Sequence, residues 1–157
     1  MVTPEINEFV ALARRYVAAI DQAEALGALG LLRVCADLLP RLYAAALALP
    51  PPPMDAENLT QSAVESPLAR LNVLLAHEYN NYWEFFDPRV DDPPVAGWLA
   101  DDLADIYLDI VRPLAGYDRG QVAAAVWQWR FDWRTHWGDH LVDGMRLIHR
   151  LVAENEA

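Results

Sequence analysis

Trp127 to His149, WQWRFDWRTHWGDHLVDGMRLIH, holds four of the chain's six tryptophans and three of its four histidines. Steps of three and four residues place Trp129, Trp133, His136, Trp137, His140, Gly144 and Leu147 on one helical stripe. Such a stripe is either a bulky core or the wall of a site. Trp127, Phe131 and Met145 fall on another face. That face either packs a second layer of helices or presents aromatic anchors to a partner.

The rest of the chain reads as helix around this segment. Thr3 and Pro4 are a helix N-cap and first helical residue. Ile6, Phe9, Val10, Ala13, Val17 and Ile20 then keep helical spacing, and Gly27 ends this first helix. A second helix over 28–49 buries Leu32, Cys35, Leu39, Tyr43 and Ala46, with Pro40 expected to kink or split it. The prolines opening 50–65 predict a mobile crossover loop. A third helix is predicted from Ser66 to Phe86, with Leu71, Leu75, Glu78, Tyr82 and Phe86 pointing inward. A fourth covers 96–116 through Leu99, Leu103, Ile106, Ile110 and Leu114, ended or bent by Pro113. The last runs from Gln121 to Ala153, with an interruption near Gly138 or Gly144. No alternating strand pattern is evident. The expected fold is all-α: one domain over residues 1–157, an antiparallel bundle of about five helices with the long C-terminal helix central.

Composition excludes several functions. The chain has 157 residues, a net charge of −11 and no lysine. The acidity argues against nucleic acid and anionic membranes as partners. Without lysine there is no Schiff base and no phosphate-loop lysine. Ser62 and Ser66 stand outside any nucleophile motif. One cysteine, Cys35, allows no internal disulfide and fits a reducing compartment. The N-terminus lacks a signal-peptide pattern and no apolar run reaches membrane-spanning length, so the cytoplasm is the expected location.

Two groups could carry chemistry. His136 and His140 stand one turn apart and can chelate a divalent metal, with Glu78 as third ligand and Asp132 or Asp143 on the flank. The other reading packs both imidazoles as polar members of the core. Trp137 stands where a zinc protease would need glutamate. Asp102, Asp105 and Asp109 share one side of the fourth helix, as a hard-cation site or as a seam paired with Arg130 and Arg134. Trp83, Trp127 and Phe131 are the candidate aromatic surface.

YWEFFDP (Tyr82–Pro88), PVAGWLADDLADIYLDI (Pro94–Ile110) and WQWRFDWRTHWGDH (Trp127–His140) together resemble a bacterial family of small helical proteins known only as a domain of unknown function. Its pattern reads YW-x-x-FDP, then G-S-LADDLADIY, then W-x-WRF…HWG-x-H. Trp98 departs from it at the start of the fourth helix, as do Asp132 and Arg134. The resemblance implies an all-helical fold, transfers no activity or cofactor, and points to Trp83, Asp87, Asp101, Asp102, Asp105, Trp129, Arg130, His136 and His140.

With no complete catalytic set, the leading expectation is a non-enzymatic binding module with a protein partner or self-association, and no assigned cofactor. The alternatives are a metal-binding, hydrolytic bundle using Glu78, His136 and His140, and a small-molecule pocket walled by tryptophan.

Overall fold

The computed structural model describes residues 2–51, 59–60 and 62–156. Helix α1 spans Pro4–Asp21, α2 Ala23–Ala48, α3 Leu68–Asn80 and α4 Leu99–Asp118. Strands β1 (Asn81–Glu84) and β2 (Val95–Trp98) form a two-stranded antiparallel ribbon between α3 and α4. The chain ends in α5 (Val122–Asp132), a π-helical turn (Trp133–Trp137) and α6 (Gly138–Glu156). Helical dihedrals at both junctions make these last three elements one rod. The fold is all-α, with five helical rods and one small ribbon.

Helix α1 starts as its cap predicts: the Thr3 hydroxyl accepts from the Ile6 N–H. It closes earlier than expected, at Asp21, but Gly27 still breaks the backbone, with φ 71°. Only glycine holds that conformation without strain. Pro40 neither splits α2 nor takes it out of helical dihedrals, and α4 runs five residues past Pro113. Each proline costs one backbone hydrogen bond. Burial of the surrounding residues, among them Leu38, Leu39, Leu42, Ile110 and Leu114, holds both helices together.

Three expectations for the third segment fail; the plainest is Phe86, expected to point inward and 99% exposed. The helix stops at Asn80, and Tyr82 to Glu84 are strand. Ala76 explains the change of phase: its backbone leaves helical space at φ 48°, ψ −167°. Glu78, placed inward by extending the Leu71–Leu75 line, consequently lies exposed. The ribbon pairs Tyr82 with Gly97 and Trp83 with Ala96. Asn80 takes over a job at the start of α4, where Trp98 offers no side-chain cap. Its buried Oδ1 accepts from the Ala100 N–H at 2.7 Å.

The core is built around α4, which packs against α1, α3, α5 and α6. The C-terminal rod enters it through Trp129 and Trp137, both fully buried. Phe9 of α1 packs on the Trp129 ring with centroids 4.8 Å apart. Trp129 Nε1 donates to the Ile110 carbonyl at 3.1 Å and Trp137 Nε1 to the Trp129 carbonyl at 3.3 Å. On a regular helix, eight residues drift about 80° round the axis. The π turn inserts one extra residue and returns Trp137 to the face of Trp129. Gly138 makes that turn feasible, because a Cβ there would collide with the Trp133 carbonyl oxygen.

Half of the predicted crossover loop, 52–58 and 61, lies outside the described residues. Its described end is held in place: Arg119 donates to the Thr60 carbonyl and the Ser62 hydroxyl, at 2.9 and 3.1 Å. Among the described residues, no helix is long and apolar enough to cross a membrane.

Candidate functional site

The π turn that buries Trp137 also turns His136 and His140 outward from the core, toward α4. There they meet the aspartate ladder. Asp102, Asp105 and Asp109 recur at three- and four-residue steps, which lines their carboxylates along one side of α4. His136 Nδ1 contacts Asp109 Oδ2 at 2.6 Å, and His140 Nδ1 contacts Asp102 Oδ1 at 2.8 Å. A carboxylate only accepts, so each Nδ1 carries the proton and donates it. Both Nε2 atoms then face a single carboxylate oxygen. Asp105 Oδ2 stands 3.6 Å from His136 Nε2 and 3.4 Å from His140 Nε2. Neither approach is a hydrogen bond. The two imidazoles meet edge to face, with centroids 4.8 Å apart.

The outer partners are themselves anchored. Asp102 is only 3% exposed. Its second oxygen accepts from the Tyr82 hydroxyl at 2.6 Å. Burial pushes the Asp102 carboxyl up, against the pull of His140 and Tyr82. Asp102 in turn pushes His140 up to about 9, against burial. In the metal-free protein that imidazole holds its proton at neutral pH, and a cation binding Nε2 would displace it. Burial also raises Asp109 and Asp101. Asp143 is pushed up to about 6, by burial first and then by Glu84, Asp102 and Asp139.

His136 and His140 open onto a cleft of about 470 Å³. Glu84, Phe85, Phe86 and Pro88 of the ribbon side form one wall, and Asp139, Val142 and Asp143 of α6 the other. The site is thus strongly acidic and partly apolar.

Of the residues singled out in the sequence, Asp102, Asp105, His136 and His140 come together here. Glu78 does not: among the described residues, the group whose ligand atoms lie within 4.8 Å of one another is Asp105, His136 and His140. Nor do Arg130 and Arg134 line the aspartate seam. Arg130 donates to the Leu49 carbonyl. Among the described residues, neither Arg130 nor Arg134 pairs with Asp102, Asp105 or Asp109. Asp87 pairs instead with Arg89 two residues on, at 2.7 Å. Trp83 stands exposed on the ribbon. Trp127 and Phe131 stack at 5.0 Å and 7° on the surface, beside a groove of about 450 Å³ that Arg130 and Arg134 also line. Tyr82 and Asp109 complete the site. Asp109 is legible in the sequence as the last rung of the ladder, whereas Tyr82 reads only as an inward aromatic of a helix and as the start of the YWEFFDP motif, with nothing to tie it to the aspartates.

An all-helical core, one short ribbon and a histidine–aspartate seam define the class of domain. The chain belongs to the family described as Domain of unknown function (DUF5063), which matches residues 1–154. Among solved structures it is similar to protein BF1032 from Bacteroides fragilis, with 24% identity and a TM-score of 0.81 over 94% of this chain and 92% of that one. That likeness shows the fold alone. No curated protein matches the chain.

Proposed function

We propose that this is a metal-binding helical domain, with Asp105 Oδ2, His136 Nε2 and His140 Nε2 as ligands of one divalent transition-metal ion. One observation carries the reading: two imidazoles have their Nδ1–H groups held by carboxylates while their Nε2 atoms converge on a third carboxylate. Metal-bound histidine almost always donates its other ring N–H in this way, because that fixes the tautomer and raises ligand basicity. The spacing agrees. Ligands about 2.0–2.1 Å from a tetrahedral zinc ion stand about 3.3–3.4 Å apart, near the 3.4 and 3.6 Å observed.

Three protein ligands beside an open cleft suit a reactive centre better than a closed structural one. A water in the remaining position would be acidified by the ion. Asp143 and Glu84 line the same cleft and are the carboxylates that would take its proton. This supports metal-assisted hydrolysis as the chemistry of the site.

Protein purified without chelator, then titrated with Zn(II), is expected to bind one ion per chain. Asp105→Ala and His140→Ala should each abolish that tight binding while far-UV circular dichroism stays unchanged. Wild-type protein that takes up no more zinc than these variants contradicts the reading.

A second reading, a protein partner or a second copy of the chain, is favoured by the stacked, exposed Trp127–Phe131 pair. Stacked surface rings of this type make good anchors. If the pair is an interface, Trp127→Ala should change the mass measured by light scattering or the recovery of a specific partner. Unaltered assembly and partners would remove this reading.

A further inference from the structure

The ribbon and the metal shell meet at one hydroxyl. Asp102 is buried and uses both oxygens: Oδ1 takes the His140 Nδ1–H, and Oδ2 takes the Tyr82 O–H. Tyr82 sits on β1 opposite Gly97. Its ring crosses the ribbon there, and a Cβ on Gly97 would fall 2.7 Å from Tyr82 Cζ. The glycine thus makes room for the ring that reaches Asp102. Beyond Glu84, where β1 ends, the chain runs on through Phe85, Phe86 and Pro88, which wall the cleft in front of His136 and His140. Glu84 Oε2, 3.0 Å from the Tyr82 hydroxyl, is a competing acceptor, and the shorter approach to Asp102 takes the single phenolic proton.

We propose that Tyr82 is a positioning residue of the Asp105–His136–His140 centre, and that through it metal loading is coupled to the β1–β2 ribbon. The inference rests on the metal-binding reading. Tyr82 touches no metal ligand atom; it acts by fixing Asp102, which orients the His140 ring. Losing the hydroxyl leaves a buried carboxylate oxygen without its donor and frees the carboxylate to turn. Coupling of this kind runs both ways: a ribbon that holds Asp102 strengthens metal binding, and bound metal steadies the ribbon by the same factor. The wall of the cleft is therefore set once the ion is in place.

Zn(II) affinity by competition with a chromophoric chelator tests the first half. Amide hydrogen exchange over 81–84 and 95–98, with and without zinc, tests the second. Tyr82→Phe keeps the ring and is expected to weaken zinc binding roughly 10- to 100-fold, the range for groups that orient metal ligands. Gly97→Ala should produce a loss of the same order by displacing the ring. Trp83→Ala, one residue away on the other side of the ribbon, should leave affinity unchanged. Zinc should slow ribbon exchange in the wild type and not in Tyr82→Phe. Equal affinity in wild type and Tyr82→Phe, or wild-type ribbon exchange indifferent to zinc, overturns the inference and leaves the metal reading standing. If Tyr82→Phe does not fold, the wild-type exchange result decides alone. A wild-type protein that binds no zinc overturns both.

Discussion

The two sides of the C-terminal rod follow opposite rules. On the buried side, between Phe9 of α1 and Ile110 of α4, Trp129 and Trp137 are fully buried and both ring N–H groups find backbone carbonyls. On the side facing α4, His136 and His140 stay partly open and meet three aspartates. These two rings are closed in their bonding and support the fold. The second side places two imidazole nitrogens 3.4 and 3.6 Å from one carboxylate oxygen, within ion-pair distance and, on the proposed reading, near the spacing of ligands on one metal ion. Residues one position apart, His136 and Trp137, serve the two purposes because neighbours on a helix point about 100° apart, and the π turn decides that Trp137 is the one on the face of Trp129.

The contrast can be tested from each side. Trp129→Ala should have the largest effect on stability, about 3–5 kcal/mol, by opening a cavity between Phe9 and Ile110. Urea unfolding measures it, and a loss below about 1 kcal/mol would show that the ring is not a central support. On the other side, His136→Ala should shift the urea midpoint of the metal-free protein little, since the imidazole is partly exposed. Its cost should appear in zinc affinity, as a loss of two orders of magnitude or more, because it removes one of three ligands. Gly138→Ala touches both sides. The added methyl meets the Trp133 carbonyl, so about 1–3 kcal/mol of stability should go, together with part of the zinc affinity. Normal stability and affinity in this variant would mean that the π turn is dispensable.

The smallest effect is electrostatic. Burial pushes the Asp132 carboxyl up to about 6 from its ordinary 3.8, although Gln128 donates to it. A carboxyl that binds its proton more tightly when folded favours the folded state at low pH, and that advantage is lost as pH rises from about 4 through 6. Asp132→Asn removes the titration. Measured against wild type in metal-free urea unfolding, it should gain about 1 kcal/mol or less on going from pH 4 to pH 7.5, the partial exposure of the group reducing the full effect. A difference that stays flat with pH would show that Asp132 does not titrate as described.

Much of the frame is legible in the chain. Thr3 and Pro4 mark the first helix, Gly27 marks a break, and the inward positions of α1, α2 and α4 follow their helical spacing. An irregularity near Gly138 or Gly144 is also readable; it takes the form of a π turn that ends at Trp137, with no break in the rod. The rest depends on tertiary contacts. Strands of four residues are too short to announce themselves by alternation, and Tyr82–Glu84 continues the apolar pattern of a helix. Ala76 carries no mark of its unusual backbone, so Glu78 was placed inward by extrapolation across a break. The aspartate ladder was readable as a line of charge. Its partners were not, because pairing with histidine or with arginine depends on how the two helices are rotated against each other. The π turn adds to this by changing which residues of the rod share a face.

The most direct measurement is crystallographic: anomalous scattering at the zinc edge from crystals grown with Zn(II). A single strong peak is expected about 2.0–2.2 Å from Asp105 Oδ2, His136 Nε2 and His140 Nε2. Crystals that show zinc only elsewhere, or none at all, with the two imidazoles still bonded to Asp102 and Asp109, would contradict the metal centre.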